Sequence, residues 1–478
     1  MVRTIPNLLA AAVADVPEKV WLLHEGAEFS YAEAHEQVRR AASGLGERGV
    51  GRGDLVLATM RNSPAHLFAW LGAMQLGAIF LPANPAAGEA ELNGLVEQVR
   101  PRLVLSDAGV DELLRSPASI DPSDAGPARP ADAAVLIPTS GTTGRSKLVT
   151  QTHRAYVMAG EGFPWWLELT ADDRLMTSLP LFHINAPAYS VLGSIAARAS
   201  LVLLPRFSAS TFIESARTYG ATEFNAIGAM LEILMRRPER PDDADNPLRL
   251  CYTGPSPPEA RQREIERRFG LRIVCGYALS ESPYGTIWAH GARPFGTLGS
   301  VRQHPTLGEV NAARVVDGEL QLRNPAVMKG YWGMPDETAR VLLEDGWLRT
   351  GDLVRENGDG TYTFIGRAKE VIRRRGENLS PAEVEEALMS HPEVSEAAVI
   401  GVRSELSEED VKAFVVRDGS AEPAAIRSWA AGRLARFKVP RYIELMDELP
   451  HTPTGRVAKH ELTRERTAGE IDFESGET

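Results

Sequence analysis

The fold of this chain is decided by PTSGTTGRSK, residues 138–147, which follows the apolar run 133–137. An apolar run that enters a loop of glycine and hydroxyl residues is typical of a strand feeding a turn. Glycines let backbone N–H groups approach an anion, hydroxyls add donors, and Lys147 adds a point charge. We therefore predict a phosphate-binding loop, with a flexible polar linker as the alternative. The GxxxxGK[ST] loop is excluded, because Gly141 and Gly144 are too close together and no Ser or Thr follows Lys147.

Length and net charge limit the number of domains and the class of partner that this chain can have. The chain has 478 residues, of which 43% are hydrophobic and 24% are charged. This length exceeds that of one compact unit, so we expect two or more domains. The net charge of −12 argues against a nucleic-acid partner, because such binding normally needs a basic face. The negative net charge does not exclude an anionic nucleotide as a ligand, since one local lysine can hold a phosphate.

Cysteine usage and hydropathy point to the cytoplasm. The two cysteines, Cys251 and Cys275, are too few for a disulfide framework or a zinc site, and each is predicted to be a small buried hydrophobe. No apolar run approaches the length of a membrane span, so no membrane partner is expected. The run from Leu8 to Ala14 resembles a weak signal peptide, but Asp15 follows at once and favours an amphipathic first helix.

Periodicity predicts an α/β fold for the first part of the chain. Residues 28–110 alternate helical patterns with short apolar strands, which is typical of a mostly parallel sheet with helices on both faces. The predicted helices are 29–47 and 65–76, and the predicted strands are 55–59, 78–82 and 103–106. From residue 308, β-branched runs separated by turns such as Asp317-Gly318 predict a small antiparallel, β-barrel-like subdomain.

A second, smaller domain is predicted after Gly366. Its predicted elements are helices at 381–389 and 426–434 and strands at 397–402 and 412–416. Together they form an α+β unit of ordinary domain size. We therefore predict a large N-terminal domain over residues 1–366 and a small C-terminal domain over residues 367–478.

The phosphate-loop stretch resembles the signature loop of the adenylate-forming superfamily, which contains acyl-CoA synthetases, luciferases and peptide-synthetase adenylation domains. The usual pattern ends in Pro-Lys-Gly, whereas this chain has Ser146-Lys147-Leu148. The resemblance extends from Phe29 to Leu462, with the family's other motifs in order. These are LPLFHINA at 179–186, YTGPSP at 252–257, GYALSE at 276–281, WLRTGD at 347–352, GRAKE at 366–370, RGEN at 375–378 and PTGRV at 453–457.

The resemblance implies an ATP site. Tyr277 would stack on adenine, Ser280 would donate to the α-phosphate, and Glu281 would help to hold Mg²⁺. Asp352 would accept hydrogen bonds from both ribose hydroxyls, and Arg367 would contact ribose or phosphate. The implied nucleotide-binding residues are Thr139, Ser140, Gly141, Thr142, Thr143, Gly144, Lys147, Gly254, Pro255, Ser256, Gly276, Tyr277, Ala278, Ser280, Asp352 and Arg367. Taken alone, 252–257 is equally well explained as a proline-rich surface turn, and 373–375 as an exposed basic hairpin exit.

The resemblance also implies an acyl pocket and a thiol tunnel. His183 would lie against the carboxylate or the phosphate, although a lone His after Phe is more often a packed core residue. The implied acyl-binding residues are His183, Phe224, Ala226, Gly228 and Ala278, whose small members suggest room for a hydrophobic acid. Gly376, Glu377 and Asn378 would line the coenzyme A tunnel. Lys369 would be the hinge about which a mobile C-terminal domain turns.

One departure from the family concerns its catalytic lysine, whose position is taken by Arg456. That lysine bridges the carboxylate and the α-phosphate during adenylation, and a planar, forked guanidinium is not an equivalent replacement. Three outcomes stay open. Arg456 supports adenylation, Lys459 replaces the family's lysine in the site, or adenylation is impaired and the protein joins a supplied acyl-AMP to coenzyme A.

The function implied is that of an acyl-CoA ligase. A carboxylate attacks the α-phosphate of ATP to form acyl-AMP and pyrophosphate, and the coenzyme A thiolate then displaces AMP. His183, Glu281, Arg456 and Lys459 are the implied catalytic residues, and Mg²⁺ and coenzyme A are the implied partners besides the acid. The alternatives are a stand-alone enzyme loading a carrier protein and a degenerate nucleotide-binding protein. A separate adenylating enzyme and a homodimer both stay compatible with the sequence.

Overall fold

The computed structural model describes residues 4–118, 128–139, 147–254, 256–368, 370–374, 377–404, 409–452 and 457–474. Within these ranges the α-helices are α1 Ile5–Asp15, α2 Tyr31–Glu47, α3 Pro64–Gln75, α4 Glu89–Val99, α5 Asp107–Leu113, α6 His153–Leu167, α7 Leu192–Ala197, α8 Phe212–Tyr219, α9 Gly228–Met235, α10 Glu259–Phe269, α11 Pro335–Val341, α12 Pro381–Met389 and α13 Pro423–Ala431. A π-helix at Ala186–Val191 precedes α7, and short 3₁₀ turns lie at Arg436–Lys438 and Lys459–Glu461.

The strands outnumber the helices and are mostly short. They are β1 Val20–His24, β2 Ala27–Ser30, β3 Leu55–Thr59, β4 Ile79–Pro82, β5 Leu103–Ser106, β6 Ala133–Thr139, β7 Lys147–Thr152, β8 Arg174–Thr177, β9 Ser200–Leu203, β10 Glu223–Asn225, β11 Leu250–Thr253, β12 Arg272–Leu279, β13 Ser282–Ile287, β14 Ser300–Val301, β15 Ala312–Val316, β16 Glu319–Arg323, β17 Gly330–Tyr331, β18 Leu348–Glu356, β19 Tyr362–Arg367, β20 Ile372–Arg374, β21 Glu377–Leu379, β22 Val394–Arg403, β23 Glu409–Arg417, β24 Tyr442–Leu445 and β25 Glu470–Asp472.

The chain divides into two compact units. The first consists of Met1–Arg314, Gln321–Arg349 and Asn357–Tyr362, and the second of Val315–Leu320, Thr350–Glu356 and Thr363–Thr478. The region predicted as barrel-like is a four-stranded sheet in the order β15–β16–β18–β19. Asp317 and Gly318, with φ of 52° and 79°, form the predicted two-residue turn between β15 and β16. A domain boundary after residue 366 stays a prediction.

Two sheets form the first unit. One has nine strands in the order β14–β13–β12–β11–β10–β8–β9–β1–β2, and the other has six in the order β17–β7–β6–β4–β3–β5. The strands from β12 through β11, β10, β8 and β9 to β1 are parallel, as are β5, β3, β4 and β6. The predicted α/β class with mostly parallel sheets is therefore confirmed. Cys251 and Cys275 are buried, as predicted.

The first helices follow from local signals in the sequence. α1 is the amphipathic helix predicted from the leucine and alanine run, with Thr4 as its N-cap. The helix predicted to begin at Phe29 begins instead at Tyr31. Ser30 caps α2 in a capping box with Glu33, while Phe29 pairs with Leu22 of β1. The short strand β2 was therefore missed.

The second unit contains a sheet in the order β22–β23–β24–β25 and a two-stranded ladder of β20 and β21. α12 has the bounds predicted from the sequence. α13 begins at Pro423, three residues before the predicted start, because proline is well suited to the first turn of a helix. Among the described helices, none combines the length and the hydropathy required to cross a membrane.

Glu223 is a buried acid in the nine-stranded sheet. It begins β10, is 0% exposed, and neither carboxylate oxygen has a hydrogen-bond partner among the described residues. Burial, followed by the neighbouring Asp173 carboxylate, raises the pKa of Glu223 well above its ordinary value. The folded protein therefore holds this group as a neutral acid under conditions in which an exposed glutamate is ionised.

Replacing Glu223 by Leu is expected to stabilise the protein, and the gain should grow with pH. Because the pKa is raised in the folded state, the contribution of this acid is largest below its unfolded pKa of 4.5 and is lost as the pH rises toward the folded value. The difference in unfolding free energy should therefore increase by about 1.4 kcal/mol per pH unit above pH 4.5. Urea unfolding at several pH values measures it. The exposed Glu28→Leu change is the control, and a pH-independent difference contradicts the prediction.

Candidate active site

The predicted phosphate loop connects two paired strands of the first unit. β6 and β7 run antiparallel, and Thr139 at the end of β6 is the register partner of Lys147 at the start of β7. The Thr139 hydroxyl donates to the Lys147 carbonyl oxygen at 3.0 Å. The predicted ligands between them lie outside the described residues: Ser140, Gly141, Thr142, Thr143 and Gly144. The two strands therefore fix the points at which the loop leaves and re-enters the sheet.

A cluster on β7, β17 and α11 surrounds the Lys147 side chain. Its ammonium forms an ion pair with the Glu337 carboxylate and lies 4.9 Å from the centre of the Tyr331 ring. Glu337 also pairs with Arg340 one turn further along α11. Lys147, the cation predicted to bind a phosphate, is therefore held in a defined position by Glu337. Glu337 has Arg340 as a second ion-pair partner.

Glu281 belongs to the same cluster. The Tyr331 phenol donates to Glu281 Oε1 at 2.8 Å. The backbone on both sides is fixed, because Gln151 Nε2 donates to the Ser280 carbonyl at 2.6 Å and Met328 N–H donates to the Glu281 carbonyl at 2.8 Å. Burial, and then the Glu281 carboxylate, raise the pKa of the Tyr331 phenol. The phenol therefore stays protonated and acts as a hydrogen-bond donor.

The predicted adenine-binding glycines lie where two strands pack closely. A Cβ atom on Gly254 would lie 2.4 Å from the Gly276 carbonyl oxygen, and one on Gly276 would lie 2.8 Å from the Tyr252 hydroxyl. Both contacts are shorter than a Cβ atom tolerates, so packing against a backbone carbonyl at Gly254 and against the Tyr252 side chain at Gly276 favours glycine at these positions. Tyr277 and Ala278 follow on β12 and are half-buried.

The rest of the predicted adenine segment has a structural role. The Ser256 hydroxyl accepts from Gly296 N–H at 3.3 Å and donates to the Pro257 carbonyl at 3.2 Å. Pro255 lies outside the described residues. Ser256 therefore joins this segment to the turn around Gly296.

His183 lies on a loop that Asn62 holds in place. The Asn62 side chain donates to the Leu179 carbonyl at 2.9 Å and accepts from Leu181 N–H at 3.0 Å. His183 is half-buried, and its ring centre lies 4.4 Å from that of Phe182. Asn62 was missed at the sequence level, because it precedes His183 by more than a hundred residues.

The predicted acyl-binding residues differ in their surroundings. Phe224 is 2% exposed and packs edge-on against Phe212, with ring centres 5.0 Å apart. Ala226 is also buried, and its N–H donates to the Tyr252 carbonyl at 2.9 Å. Gly228 begins α9, where a Cβ would meet no atom within 4 Å. Open space is therefore found near Gly228, while Phe224 contributes to the core.

An amide pair joins the two predicted acyl segments. Asn225 Nδ2 donates to Asn185 Oδ1 at 2.7 Å, and Asn225 is 1% exposed. Sequence reasoning missed both residues as a pair. The available signal was that both are amide residues next to predicted acyl-binding positions, since Asn185 lies two residues after His183 and Asn225 lies between Phe224 and Ala226.

In the second unit, Asp352 and Arg367 contact each other. Arg367 Nε lies 3.0 Å from Asp352 Oδ1, and Asp352 is 2% exposed while half of the Arg367 side chain is exposed. Asp352 N–H donates to the Thr350 hydroxyl, which donates to the Leu320 carbonyl at 2.6 Å. The two residues that the family assigns to ribose are therefore paired, although fifteen positions separate them in the sequence. Lys369, the predicted hinge, lies outside the described residues.

Lys459 is held by two carboxylates of the same unit. Its ammonium lies 2.7 Å from Glu385 and 3.2 Å from Glu370, and Glu385 also accepts from Val399 N–H at 2.7 Å. Burial opposes the charge, but the two carboxylates outweigh it and raise the pKa of Lys459. Lys459 therefore has a structural role already. Arg456 lies outside the described residues.

Arg374 anchors the strand that leads into the predicted coenzyme A loop. It is 2% exposed, so the interpretation of 373–375 as an exposed basic run is wrong for this residue. Its guanidinium donates to the Asp410 carboxylate at 3.0 Å, to the Glu474 carboxylate at 2.8 Å and to the Val439 carbonyl at 2.8 Å. Of the predicted tunnel residues, Glu377 and Asn378 lie on β21, which pairs with β20, and Gly376 lies outside the described residues.

The residues around Glu281 are compatible with a metal ion that is bound by one protein carboxylate together with substrate phosphates. Among the described residues, no group of three or more His, Cys, Asp or Glu side chains could hold a metal ion. Mg²⁺ bound by one protein carboxylate together with substrate phosphates needs no such group. Tyr331 donates to Glu281 Oε1, so the phenol contacts one of the two carboxylate oxygens.

The protein-family models and the known proteins that match this chain agree with each other. The model of the AMP-binding enzyme family matches residues 9–332, and that of the AMP-binding enzyme C-terminal domain matches residues 383–456. Crotonobetaine/carnitine–CoA ligase of Salmonella agona is 29% identical over 502 positions, covering 93% of this chain and 96% of that protein. The corresponding Salmonella paratyphi B protein is 30% identical over 504 positions, with the same coverage.

Solved structures agree with the family match. ATP-bound MatB from Rhodopseudomonas palustris has a TM-score of 0.86 at 26% identity, covering 95% of this chain and 97% of that one. The o-succinylbenzoate coenzyme A synthetase MenE from Bacillus subtilis, in complex with AMP, has a TM-score of 0.87 at 25% identity, covering 98% and 99%. The chain therefore belongs to the AMP-binding enzyme family of adenylate-forming proteins, in its acyl-CoA ligase branch, and is an enzyme of the acid–thiol ligase type.

Proposed function

We propose that this protein joins a hydrophobic carboxylic acid to coenzyme A in two steps. The acid attacks the α-phosphorus of ATP, which forms the acyl–phosphate bond of acyl-AMP and releases pyrophosphate. The thiolate of coenzyme A then attacks the acyl carbon and releases AMP. The cluster of Lys147, Tyr331 and Glu281 carries the proposal, because one phenol side chain contacts both the cation proposed to bind phosphate and the carboxylate proposed to hold the metal.

Each group has a stated task in the first step. Lys147 exchanges its Glu337 partner for a phosphate oxygen, and Glu337 keeps Arg340 as its partner. Glu281 would hold Mg²⁺, which when bound neutralises charge on the phosphates. His183 orients the carboxylate. In the second unit, Asp352 accepts from the ribose hydroxyls, and Arg367 leaves its present partner to meet the nucleotide.

The acid is proposed to be apolar beyond its carboxylate. Open space next to Gly228 and the small side chain of Ala226 support a hydrophobic substituent. The acidic Glu232 further along α9 is already paired with Arg261 at 2.6 Å, so it does not offer a charge for a substrate amine. The Asn225–Asn185 pair contributes one polar surface to this region.

The function is tested with the purified protein, MgATP, coenzyme A and a library of acids. Mass spectrometry should detect an acyl-CoA when all components are present and an acyl-AMP when coenzyme A is omitted. Acylation of a pantetheine-bearing carrier protein without acyl-CoA would favour the carrier-loading alternative. Failure to bind ATP, AMP and coenzyme A in calorimetry would indicate a pure scaffold and overturn the proposal. Nucleotide binding without formation of acyl-AMP or acyl-CoA would favour the degenerate nucleotide-binding protein.

Arg456 is proposed to occupy the position of the family's catalytic lysine, and Arg456→Lys should raise the rate of ATP–pyrophosphate exchange by about tenfold. A compact ammonium fits between two oxyanions better than a forked guanidinium does. The rate of thioester formation from supplied acyl-AMP should stay within about twofold, because that step does not use this cation. Arg464→Lys, a change of the same kind at an exposed residue of the same unit, is the control.

Two results would contradict the proposed effect of arginine at position 456 on adenylation. Equal exchange rates in both proteins would show that arginine serves the first step as well as lysine. An unmodified protein without exchange, yet active on supplied acyl-AMP, would be a ligase whose first step is carried out by another enzyme.

A further inference from the structure

Tyr331 lies between the two charged groups of the proposed nucleotide site. Its hydroxyl donates to Glu281 at 2.8 Å, and the Lys147 ammonium lies 4.9 Å from its ring centre. A cation over an aromatic face is attracted by the ring, and a phenol bonded to a carboxylate restricts the rotation of that carboxylate. One side chain therefore contacts both the ammonium and the carboxylate.

The backbone of Tyr331 is fixed by its pairing with β7. Lys329 N–H donates to the Thr150 carbonyl at 3.0 Å, and Trp332 N–H donates to the Leu148 carbonyl at 2.8 Å. β7 is the strand that begins with Lys147 and carries Gln151, which holds the Ser280 carbonyl. The lysine, the tyrosine and the segment before Glu281 are therefore supported by one pair of strands.

α11 closes the cluster from the other side. Tyr331 N–H donates to the Thr338 hydroxyl at 2.9 Å, and Thr338 follows Glu337, the ion-pair partner of Lys147. Gly330 has a φ of 140°, and a Cβ there would lie 2.7 Å from Thr338 Cγ2. Glycine is required at 330 for this close approach, which leaves the Tyr331 backbone little freedom to move.

We propose that Tyr331 is a positioning residue that couples the metal-binding carboxylate to the phosphate-binding lysine. This inference rests on the proposed function of the same site. By donating to Glu281 Oε1, the phenol restricts the orientation of the carboxylate that would hold the cation. Tyr331 acts through Glu281 and Lys147 and makes no bond to the reacting atoms.

The test compares Tyr331→Phe with the unmodified protein. This variant keeps the ring under Lys147 and removes only the donor to Glu281. The affinity for Mn²⁺ in the presence of ATP, measured by electron paramagnetic resonance, should fall about tenfold, as expected for the loss of one hydrogen bond to a charged group. ATP binding without divalent metal and thioester formation from supplied acyl-AMP should each stay within about twofold.

The matched control is Tyr31→Phe. Tyr31 is a buried tyrosine of the same unit, whose hydroxyl donates to the Ser194 and Ala199 carbonyls at 3.1 and 2.8 Å. This change removes buried phenol hydrogen bonds remote in sequence from the cluster. It should lower the melting temperature without a change in Mn²⁺ affinity.

A double-mutant cycle with Glu281→Gln separates positioning from a general structural role. If Tyr331 acts through the carboxylate, Tyr331→Phe should have no further effect on Mn²⁺ affinity in the Glu281→Gln background. An unchanged Mn²⁺ affinity in Tyr331→Phe, or equal effects in both backgrounds, would overturn the inference and leave the proposed function intact. Absence of ATP binding by the unmodified protein would overturn both.

Discussion

Glu281→Gln is expected to lower the rate of ATP–pyrophosphate exchange by at least about a hundredfold. The amide keeps the size of the side chain and still accepts from the Tyr331 phenol, so the cluster should stay assembled. What is lost is the negative charge that would hold Mg²⁺ against the phosphates, and an uncharged amide is a weaker ligand for a hard cation. The loss should therefore appear in the adenylation step.

The two half-reactions provide an internal control for this variant. Thioester formation from a supplied acyl-adenylate releases AMP and involves no pyrophosphate, so it should keep most of its rate. Glu259→Gln, an exposed acid on α10 that pairs with Arg263, should leave both rates within about twofold. Full exchange activity in Glu281→Gln, or an equal loss in both half-reactions, would contradict a metal-binding role for this carboxylate.

Arg374→Met is expected to destabilise the second unit by about 3–5 kcal/mol. The arginine is 2% exposed and joins the Asp410 and Glu474 carboxylates and two backbone carbonyls, those of Phe437 and Val439. Methionine fills part of the volume but leaves a buried carboxylate with less compensating charge. The neighbouring Arg373→Met change should cost less than about 0.5 kcal/mol, because that side chain is exposed.

A local probe measures this loss. Trp429 is the single tryptophan among residues 363–478, so its resonance in fluorotryptophan-labelled protein reports on the second unit. Urea should shift that resonance to its unfolded position earlier in Arg374→Met than in Arg373→Met. Where the second unit is unfolded, both adenylation and thioester formation should fail, because Asp352, Arg367 and Arg456 belong to that unit and are proposed to serve the first step. Coincident unfolding of both variants would show that burial of Arg374 does not stabilise this unit.

Several local elements were predictable because their signals are short-range. The strand before the phosphate loop, the helix at 381–389 and the turn at Asp317-Gly318 each follow from neighbouring residues. The family resemblance contributed the identities of Glu281 and Asp352. The errors arose where two local signals competed: Ser30 and Glu33 cap α2 so that Phe29 is left to pair with β1.

The sequence by itself determined the α/β class, the order of the family's motifs and the candidate charged residues of the proposed nucleotide site. Only the tertiary structure decided which of those charges meet. Tyr331 contacts Glu281 across fifty positions, and Arg374 is buried while Arg373 is exposed, although both are arginines in one short strand. The physical reason is that periodicity reports which face of an element is apolar. The partner across that face depends on strand pairing between distant segments, which no local pattern encodes.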